Sequence, residues 1–165
     1  MRIGRLNKGQ RGFSLIELVI VIALTGLITA AITTTVFQVF SMNTRTANRM
    51  TAVSQVQHAG KIVSEDVLEA RPPIDTTPEG GEFLVLTLSA QNVTVTYTLD
   101  DGVLLRTEPV DGGDPIVTRV AEHIDSDPTK TRCDWDGSVL TFTVTATVGD
   151  ESETRIYEVQ PRPGS

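Results

Sequence analysis

The chain has few of the side chains that carry catalysis or covalent cross-links. Its one cysteine, Cys133, cannot form an intrachain disulfide, and we interpret it as a small, half-buried residue and not as a reactive thiol. The two histidines, His58 and His123, have no second histidine or cysteine near them at metal-ligand spacing, so we expect both at the surface. No Ser/His/Asp set and no phosphate-binding loop is present. The sequence therefore predicts no catalytic residue, no cofactor and no metal site, and hence no enzyme.

Basic residues are also scarce relative to acidic ones. The chain has 14 Lys and Arg against 21 Asp and Glu, a formal net charge of -7. Four of the basic residues (Arg2, Arg5, Lys8 and Arg11) lie in the first twelve positions, so residues 13–165 carry 14 − 4 = 10 basic and 21 acidic residues, a net charge of 10 − 21 = -11. Neutralising nucleic-acid phosphates needs clustered cations. The bulk charge therefore predicts no nucleic-acid partner.

What the chain does have is a long apolar segment at residues 13–40. From Leu18 to Phe40 it contains no charged residue. A helix of that length covers about 34 Å at roughly 1.5 Å per residue, against a hydrocarbon core of about 30 Å. Four basic residues come before the run, within positions 2–11, and by the positive-inside rule this cluster predicts that residues 1–12 lie in the cytoplasm and the bulk of the chain outside. We therefore expect a single-pass transmembrane helix.

Two simpler interpretations compete for this segment. A cleavable secretory signal fits poorly, because its apolar region would be about 7 to 15 residues long. An uncleaved signal anchor accounts for everything except Glu17, a carboxylate on the apolar side of the boundary. An acid at the centre of a membrane helix costs about 2.5 to 3.5 kcal/mol, and less near the interface, so Glu17 is either functional or directs its carboxylate to the headgroups.

Residues Gly12 to Leu18, with the sequence GFSLIEL after a short basic leader, resemble the prepilin processing motif of type IV pilins and pseudopilins. In that family a membrane aspartyl peptidase cuts after the glycine and methylates the new amino group. The resemblance implies cleavage between Gly12 and Phe13, N-methylation of Phe13, and a match between Glu17 and the carboxylate of the family motif. It also implies three kinds of partner: the prepilin peptidase/methyltransferase, other pilin or pseudopilin subunits, and membrane lipid before assembly.

The spacing of these residues agrees with simple charge pairing. Cleavage after Gly12 would create an α-ammonium at Phe13, and methylation leaves its charge in place. Glu17 lies one helical turn away, so it is predicted to pair with this cation in its own chain or in a neighbouring subunit.

The resemblance continues further along the apolar helix. Gly26 matches a small position common in pilins, whereas Thr34 stands where many major pilins have a helix-bending proline. The threonines of this stretch either bond to backbone carbonyls or face solvent or lipid, and the second alternative is the plainer one. They are Thr29, Thr33, Thr34 and Thr35.

After Phe40 the chain keeps a helical stripe, which predicts an amphipathic continuation of the same helix. The stripe consists of Met42, Met50, Val53, Val56, Gly60, Val63, Val67 and Ala70. Arg71-Pro72-Pro73 should end this helix, because two prolines cannot continue its hydrogen-bond ladder. We expect one helix from about Phe13 to Ala70.

The remaining residues alternate with period two, as strands do, around a core of Val, Leu, Ile and Thr. We predict strands from Phe83 to Leu88 and from Val93 to Asp100, a tight turn at Asp101-Gly102 and a return strand from Val103 to Glu108. Further along, the alternation predicts a weaker strand or bridging segment at Ile116 to Ile124, a long strand from Leu140 to Val148, a last strand at Tyr157 and Val159, and a frayed tail at Pro161 and Pro163. The fold class is therefore α+β: a long N-terminal helix, transmembrane in its first half and amphipathic in its second, packed on a C-terminal antiparallel β-sheet in which three or four strands are well marked.

This second half resembles the larger J-type or W-type minor pilins and pseudopilins. The resemblance lies in residues 95–106, VTYTLDDGVLLR, where a strand, a DG turn and a return strand end in Leu-x-Arg.

Two further features of the second half admit a functional interpretation. Four loop acids would hold calcium, as in some pseudopilins, or are simply solvated, which their irregular spacing favours. They are Asp111, Asp114, Asp125 and Asp127. Asn92-Val93-Thr94 is a glycosylation sequon where the cell has that machinery, and otherwise the start of a strand.

We therefore predict four segments: a leader removed on processing (1–12), a transmembrane and assembly helix (13–40), its amphipathic continuation (41–71) and a β-rich extracytoplasmic domain (72–165). The predicted protein is a minor structural subunit of a type IV pilus or a type II secretion-like pseudopilus. It would lie first in the inner (cytoplasmic) membrane with a cytoplasmic N-terminus, and then in an extracytoplasmic filament. The alternative is a membrane-anchored extracytoplasmic binding module with an uncleaved anchor.

Overall fold

A computed structural model of the chain describes residues 14–77, 82–88 and 93–162. They divide into two compact units, with the boundary between Asn43 and Thr44. One helix, α1 (Leu15–Glu69), contributes to both units. The predicted long helix is therefore confirmed, although Phe13, its expected first residue, lies outside the described residues.

Both ends of α1 follow from local chemistry. Ser14 precedes the first turn, and its carbonyl accepts hydrogen bonds from the backbone N–H groups of Glu17 and Leu18 at 3.0 and 3.2 Å. At the other end the helix stops at Glu69, shortly before Pro72 and Pro73, as predicted. The prolines do not lead into a loop, however, because residues Ala70–Asp75 form strand β1 at the edge of a sheet, where proline is tolerated.

The described residues of the second unit form eight strands in two antiparallel sheets. The strands after β1 are β2 (Glu82–Leu88), β3 (Val93–Asp100), β4 (Val103–Glu108), β5 (Ile116–Ala121), β6 (Arg132–Trp135), β7 (Leu140–Val148) and β8 (Glu151–Val159). One sheet has the order β1-β2-β3-β4-β5 and the other β6-β7-β8. The predicted α+β class with antiparallel pairing is confirmed. The strands lie in two sheets and not in the single sheet predicted, and β1 and β6 were not predicted. Strands β1 and β6, with the sequences ARPPID and RCDW, lack the apolar alternation that made the other strands recognisable.

The predicted turn at Asp101-Gly102 joins β3 to β4, with Asp100 opposite Val103. Asp101 and Gly102 have φ angles of 44° and 76°, the left-handed conformation that two-residue hairpins use. The weaker segment behaves as predicted: it forms β5, and Ile124 beyond it makes an isolated bridge to Ala146 of β7.

Residues 52–67 of α1 supply one side of the core of the second unit. The buried helix positions are Ala52, Val56, Ala59, Gly60, Val63 and Val67. Facing strands contribute side chains such as Leu84, Tyr97, Leu104 and Phe142, all at 0% exposure. The predicted stripe was wrong at Met42 and Met50, which are 68% and 69% exposed, and it omitted Ala52 and Ala59.

The C-terminal tail also differs from the prediction. Pro161 is buried, and the backbone N–H of Arg162 donates to the carbonyl of Leu68 at 3.2 Å. The residues after β8 therefore return to the end of α1 and are not frayed at this point. Pro163 lies outside the described residues.

Gly60 allows the closest approach between α1 and β8. A Cβ atom built on Gly60 would lie 2.1 Å from Cζ of Tyr157. The Tyr157 hydroxyl donates to the carbonyl of Val56 at 3.1 Å, and its ring stacks at 6.3 Å from Phe142. A glycine in a helix interior is usually a cost, but here it makes room for an aromatic ring.

We expect Gly60→Ala to lower the free energy of unfolding by about 2 to 3 kcal/mol, because the ring must leave its place or the helix must shift. The measurement is the unfolding midpoint of the full chain in detergent micelles. Gly113→Ala is the matched control, since its added Cβ would meet only Val110 at an ordinary 3.5 Å. Equal midpoints for the two variants would contradict the packing described here.

Candidate membrane-anchoring and assembly site

The first unit presents an apolar helical surface that the described residues leave uncovered. Every Leu, Ile, Val and Phe from Leu15 to Phe40 is exposed, by between 46% and 81%. The most apolar 18-residue window of α1 has a mean hydropathy of 2.6, is 0% buried and lies near the N-terminus. Length and composition alone qualify this helix to cross a membrane, and they fit a membrane-anchored, single-pass protein.

The threonines of this segment satisfy their hydroxyl groups within the helix. Each donates to the backbone carbonyl four residues earlier, at 2.7 to 3.0 Å: Thr25, Thr29, Thr33, Thr34 and Thr35. Both alternatives left by the sequence therefore hold together: the hydroxyls bond to backbone carbonyls, and these side chains are exposed. A hydroxyl bonded in this way adds no unsatisfied donor to an apolar surrounding.

Small side chains make one side of the same helix shallow. A groove follows Val21, Ile22, Thr25, Gly26, Thr29, Ala30, Thr33 and Thr34. A Cβ atom added to Gly26 would meet nothing within 4 Å, so the described residues of the chain do not themselves require a glycine there. Small residues spaced by about one turn let a second helix approach closely in a membrane. The groove is therefore suited to helix–helix packing.

Glu17 lies in the first turn of α1, where it completes a sequence pattern that the sequence analysis missed. Ser14-Leu15-Ile16-Glu17 matches the S-x-x-E pattern of a capping box, in which the acid occupies the third helical position. The N-terminus of a helix also favours a negative charge. The S-x-x-E pattern that begins at Ser14 was visible in the sequence. Gly12 and Phe13, the predicted cleavage and methylation residues, lie outside the described residues.

In the second unit, a partly buried ionic cluster joins α1 to the larger sheet. Asp66 of α1 accepts hydrogen bonds from the Tyr97 hydroxyl at 2.5 Å and from Nε of Arg106 at 2.7 Å. Arg106 also donates from Nη1 to Glu108 at 2.7 Å. The side chains of Arg106 and Asp66 are only 17% and 15% exposed. Arg106 is the arginine of the Leu-x-Arg pattern, so the structure gives this residue a partner on the helix.

The electrostatics of this cluster keep Tyr97 and Arg106 protonated. Burial, followed by the neighbouring Asp66 carboxylate, raises the pKa of Tyr97 well above its usual range, so the hydroxyl remains a donor. Burial opposes the charge on Arg106, but its hydrogen bonds to Asp66 and Glu108 outweigh that effect and raise the pKa of the guanidinium. The cluster is a structural contact between helix and sheet.

The other singled-out residues occupy ordinary structural positions. Cys133 is 7% exposed, and burial raises the pKa of its thiol, which makes it a poor nucleophile. His58 and His123 are exposed, as predicted.

The loop acids are partly engaged by the chain itself. Lys130 donates to Asp125 at 2.6 Å, a hydrogen bond that lowers the pKa of this carboxyl, and Asp127 accepts from the backbone and hydroxyl of Thr129. Within residues 14–77, 82–88 and 93–162, no group of three or more His, Cys, Asp or Glu side chains is placed to hold a metal ion. Asn92 of the sequon lies outside the described residues.

Comparison with known proteins identifies the N-terminal segment. Residues 7–33 match the family model of the prokaryotic N-terminal methylation motif. No curated protein and no solved structure matches the chain. The motif match supports the type IV pilin and pseudopilin family and confirms the resemblance read from Gly12 to Leu18. It indicates a structural protein, for which processing by a prepilin peptidase and assembly with other pilin subunits are implied. The J-type or W-type resemblance concerns residues outside the match and stays a prediction.

We expect Asp66→Ala to lower the free energy of unfolding by about 3 kcal/mol, because it leaves Arg106 and the Tyr97 hydroxyl largely buried without their acceptor. The double variant Asp66→Leu/Arg106→Met should recover part of this loss, since it removes both charges but leaves the Tyr97 hydroxyl without its acceptor. Denaturant unfolding of the full chain in detergent provides the measurement. Asp134→Ala is the control, because its ion pair with Arg132 is 61% exposed on the acid side and should change stability by less than about 1 kcal/mol. A loss at Asp66 no larger than that of the control would show that the cluster does not hold the helix.

Proposed function

We propose that this chain is a minor structural subunit of a type IV pilus or a type II secretion-like pseudopilus, cleaved after Gly12 and N-methylated at Phe13. The observation that supports it most strongly is the coincidence of the methylation motif at residues 7–33 with a helix whose large apolar side chains are all exposed from Leu15 to Phe40. A helix of this kind needs a surrounding of lipid or of other helices. A filament subunit needs lipid around this helix before assembly and other helices around it after assembly.

In this proposal the anchor works in two steps. Residues 1–12, with four cations, stay in the cytoplasm, and the uncharged run from Leu18 to Phe40 spans the inner membrane. On assembly, helices of neighbouring subunits replace the lipid around the same surface. Lipid tails are as apolar as these side chains, so the exchange depends on close packing, for which the groove around Gly26 provides room.

In this proposal, cleavage supplies the positive charge that pairs with Glu17. The new α-ammonium at Phe13 would lie four residues, or about one helical turn, before Glu17 in the sequence. In an apolar filament core an unpaired charge costs about 3 to 5 kcal/mol, so a subunit with both charges is favoured over one with a single charge. If the pair forms between neighbouring subunits, it also fixes their axial register.

The second unit would be the extracytoplasmic part of the subunit. Its two sheets and the end of α1 form one core, in which Asp66 and Arg106 fix the helix against the sheet. We assign it no catalytic role, because the charged groups of its partly buried ionic cluster bond to one another.

The alternative remains an uncleaved signal anchor that carries a binding module. It accounts for the exposed apolar helix and for the separate second unit. It gives no reason for the GFSLIEL sequence or for a methylation motif over residues 7–33.

The first test of this proposal is the N-terminus of the protein recovered from cells. Intact-mass analysis should show a chain that begins at methylated Phe13. Gly12→Val should abolish cleavage, because a branched side chain blocks the close approach of the peptidase to the backbone. A chain that retains Met1 to Gly12 in cells with an active peptidase, or a Gly12→Val variant processed as well as the wild type, would favour the uncleaved anchor.

The second test separates processing from assembly at Glu17. Glu17→Ala should leave cleavage largely intact and reduce methylation or incorporation into filaments, because the Phe13 ammonium loses its partner. Glu17→Gln keeps the capping pattern of Ser14 but removes the charge, so it should resemble Glu17→Ala if charge matters and the wild type if only capping matters. The assay must follow this subunit itself, by immunoblot of sheared filaments. Wild-type methylation and incorporation of both variants would exclude the charge pair.

A further inference from the structure

Strand β5 differs from the other strands that lie at a sheet edge. In the described part of the chain the edge strands are β1 and β5 of the larger sheet and β6 and β8 of the smaller one. An edge strand offers unpaired backbone N–H and C=O groups, and proteins usually protect it. Strand β1 contains Pro72 and Pro73, and β6 has only four residues. Strand β8 carries four charged side chains: Glu151, Glu153, Arg155 and Glu158. Strand β5, with the sequence IVTRVA, has no proline and one charge, so its edge is the least protected.

Strand β5 also exposes apolar side chains. Ile116 and Val117 are 55% and 56% exposed, and Val110, in the loop that leads into the strand, is exposed as well. Among the described residues after Met50, the other exposed large apolar side chain is Ile156, which lies among the charged residues of β8. Four of the six residues of β5 are β-branched, which favours pairing as a strand. An open edge and an apolar surface therefore coincide at β5.

The hairpin beside β5 shows which of its backbone groups point outward. Asp100 and Val103 close a two-residue turn, so they exchange both of their hydrogen bonds within the hairpin. The direction of the backbone groups alternates along a strand, so Arg106, three residues after Val103, directs its N–H and C=O toward β5, where it is paired with Thr118. Val117, the neighbour of Thr118, therefore directs its N–H and C=O away from the sheet.

A cavity lies between α1 and β5 on the helix side of this edge. Its volume is about 220 Å³, and it is lined by Ile62 and Glu65 of α1 and by Thr118 and Val120 of β5, among others. Small-molecule sites begin at about 300 Å³, so this cavity is small for a separate ligand but has room for a side chain. The side chains of a strand alternate between its two faces. A strand added to β5 would therefore direct every second side chain to the side on which the cavity lies.

Acidic groups outnumber cations around this cavity. The charged side chains that line it and those bonded to them give a net charge of 3 − 4 = -1, with histidine neutral. The acids are Glu65, Asp66, Glu108 and Glu122, and the cations are Lys61, Arg106 and Arg119. Glu65 is weakly engaged, because its carboxylate meets Lys61 only at 3.9 Å and both side chains are more than half exposed. The complementary side chain is therefore basic, with an aliphatic stem against Ile62 and a cation at Glu65.

We propose that β5 is a docking edge for an extended segment of a different protein, which pairs with β5 as a sixth strand of the larger sheet and places a lysine or arginine in the cavity beside Ile62 and Glu65. Backbone hydrogen bonds to groups such as the N–H of Val117 hold the segment, and the cavity selects its side chain. The docking edge lies wholly in the second unit. It goes beyond the proposed filament function and does not rest on cleavage after Gly12.

A second copy of this chain fits the docking edge less well than a different protein does. Pairing of β5 with β5 of another copy is a two-fold contact, in which each copy must supply what the other lacks. The one basic side chain of β5, Arg119, already donates to Glu122 in its own chain. A second β5 would therefore pair with the edge but bring no free cation to Glu65.

Binding of a defined peptide to the full chain in detergent micelles tests the docking edge. The probe is the capped, fluorescently labelled peptide VTKTVTV, which alternates as a strand does and carries its lysine among the side chains of one face. Fluorescence anisotropy at low salt should show saturable binding. Val117→Pro removes the outward N–H and should weaken binding about tenfold or more. Val117→Thr keeps the N–H and the size of the side chain, so this matched control should stay within about twofold of the wild type. Unchanged unfolding midpoints of both variants check that the fold is kept.

Peptides methylated on alternate backbone nitrogens give a second readout that leaves the protein unchanged. A docked strand pairs through one of its two edges. Methylation of the threonine nitrogens and methylation of the valine and lysine nitrogens should therefore give affinities that differ about tenfold or more. Equal affinities of the two methylated peptides would overturn strand pairing.

Charge exchange tests the basic side chain in the cavity. Glu65→Lys should weaken binding of VTKTVTV about threefold and should bind the peptide VTETVTV more tightly than the wild type does, since the attraction at the cavity is reversed. Glu158→Lys, at an exposed acid on β8, changes the net charge by the same amount and is the matched control. Equal effects of Glu65→Lys and Glu158→Lys would exclude a cation at Glu65.

Two further outcomes would overturn the proposal as a whole. One is the absence of saturable binding of VTKTVTV to the wild type at millimolar peptide. The other is a dimer of the full chain in micelles, measured by sedimentation, that Val117→Pro dissociates, because a second copy would then be the occupant of the docking edge. These measurements need no filament, so their failure is distinct from that of the proposed function, which the N-terminus of the recovered protein decides.

Discussion

The constraint on which the rest of the structure depends is an apolar helical surface that the described part of the chain leaves uncovered. From Leu15 to Phe40 the large side chains of α1 are exposed, whereas from Ala52 to Val67 the helix buries a stripe against two sheets. One helix therefore serves two surroundings. Its first part needs lipid or other helices, and this need explains the absence of charge between Leu18 and Phe40 and the threonine hydroxyls turned back onto the backbone.

The second part of α1 meets a different requirement, which is to hold one register against a small core. Apolar contacts of Val56, Val63 and Val67 alone tolerate sliding, because similar side chains recur at each turn. Asp66 removes this freedom, since Arg106 and the Tyr97 hydroxyl find their acceptor only in the observed register. A buried ion pair adds little stability over apolar packing, but separating its partners leaves a buried charge uncompensated, which is costly. The pair therefore favours the one register in which both partners meet. Gly60 also fixes the register, because the Tyr157 ring packs against the helix at the position where no Cβ atom is present.

Local patterns in the sequence were enough to predict the helix, the longer strands and the DG turn. Strands β3 and β7 alternate over eight and nine residues, and such a pattern has no other good explanation. Strand β1 contains two prolines and β6 has four residues, so their pairing is set by the tertiary structure and not by local preference. The same limit applies to the ionic cluster: Arg106 stood out in the sequence, but Asp66 lies 40 residues away and no periodicity connects them. The methylation motif, by contrast, is entirely local, and its match to residues 7–33 confirms the family resemblance that GFSLIEL indicated.

Under the proposed function, the placement of Glu17 makes cleavage a condition for assembly. Before cleavage the nitrogen of Phe13 is part of a neutral peptide bond, and the carboxylate of Glu17 is favoured only by the helix N-terminus and the capping pattern of Ser14. This is a stable arrangement at a membrane surface. After cleavage the same nitrogen is a cation that must be neutralised in any apolar surrounding. Glu17 then has a cationic partner, which is either the Phe13 ammonium of its own chain or that of a neighbouring subunit. An uncleaved chain lacks the Phe13 ammonium, so it lacks the charge that would fix the register. It also keeps the basic residues of its leader, which add unpaired positive charge at the N-terminal end of the helix. Under this proposal, one change in charge at Phe13 would be enough to make assembly selective for processed subunits.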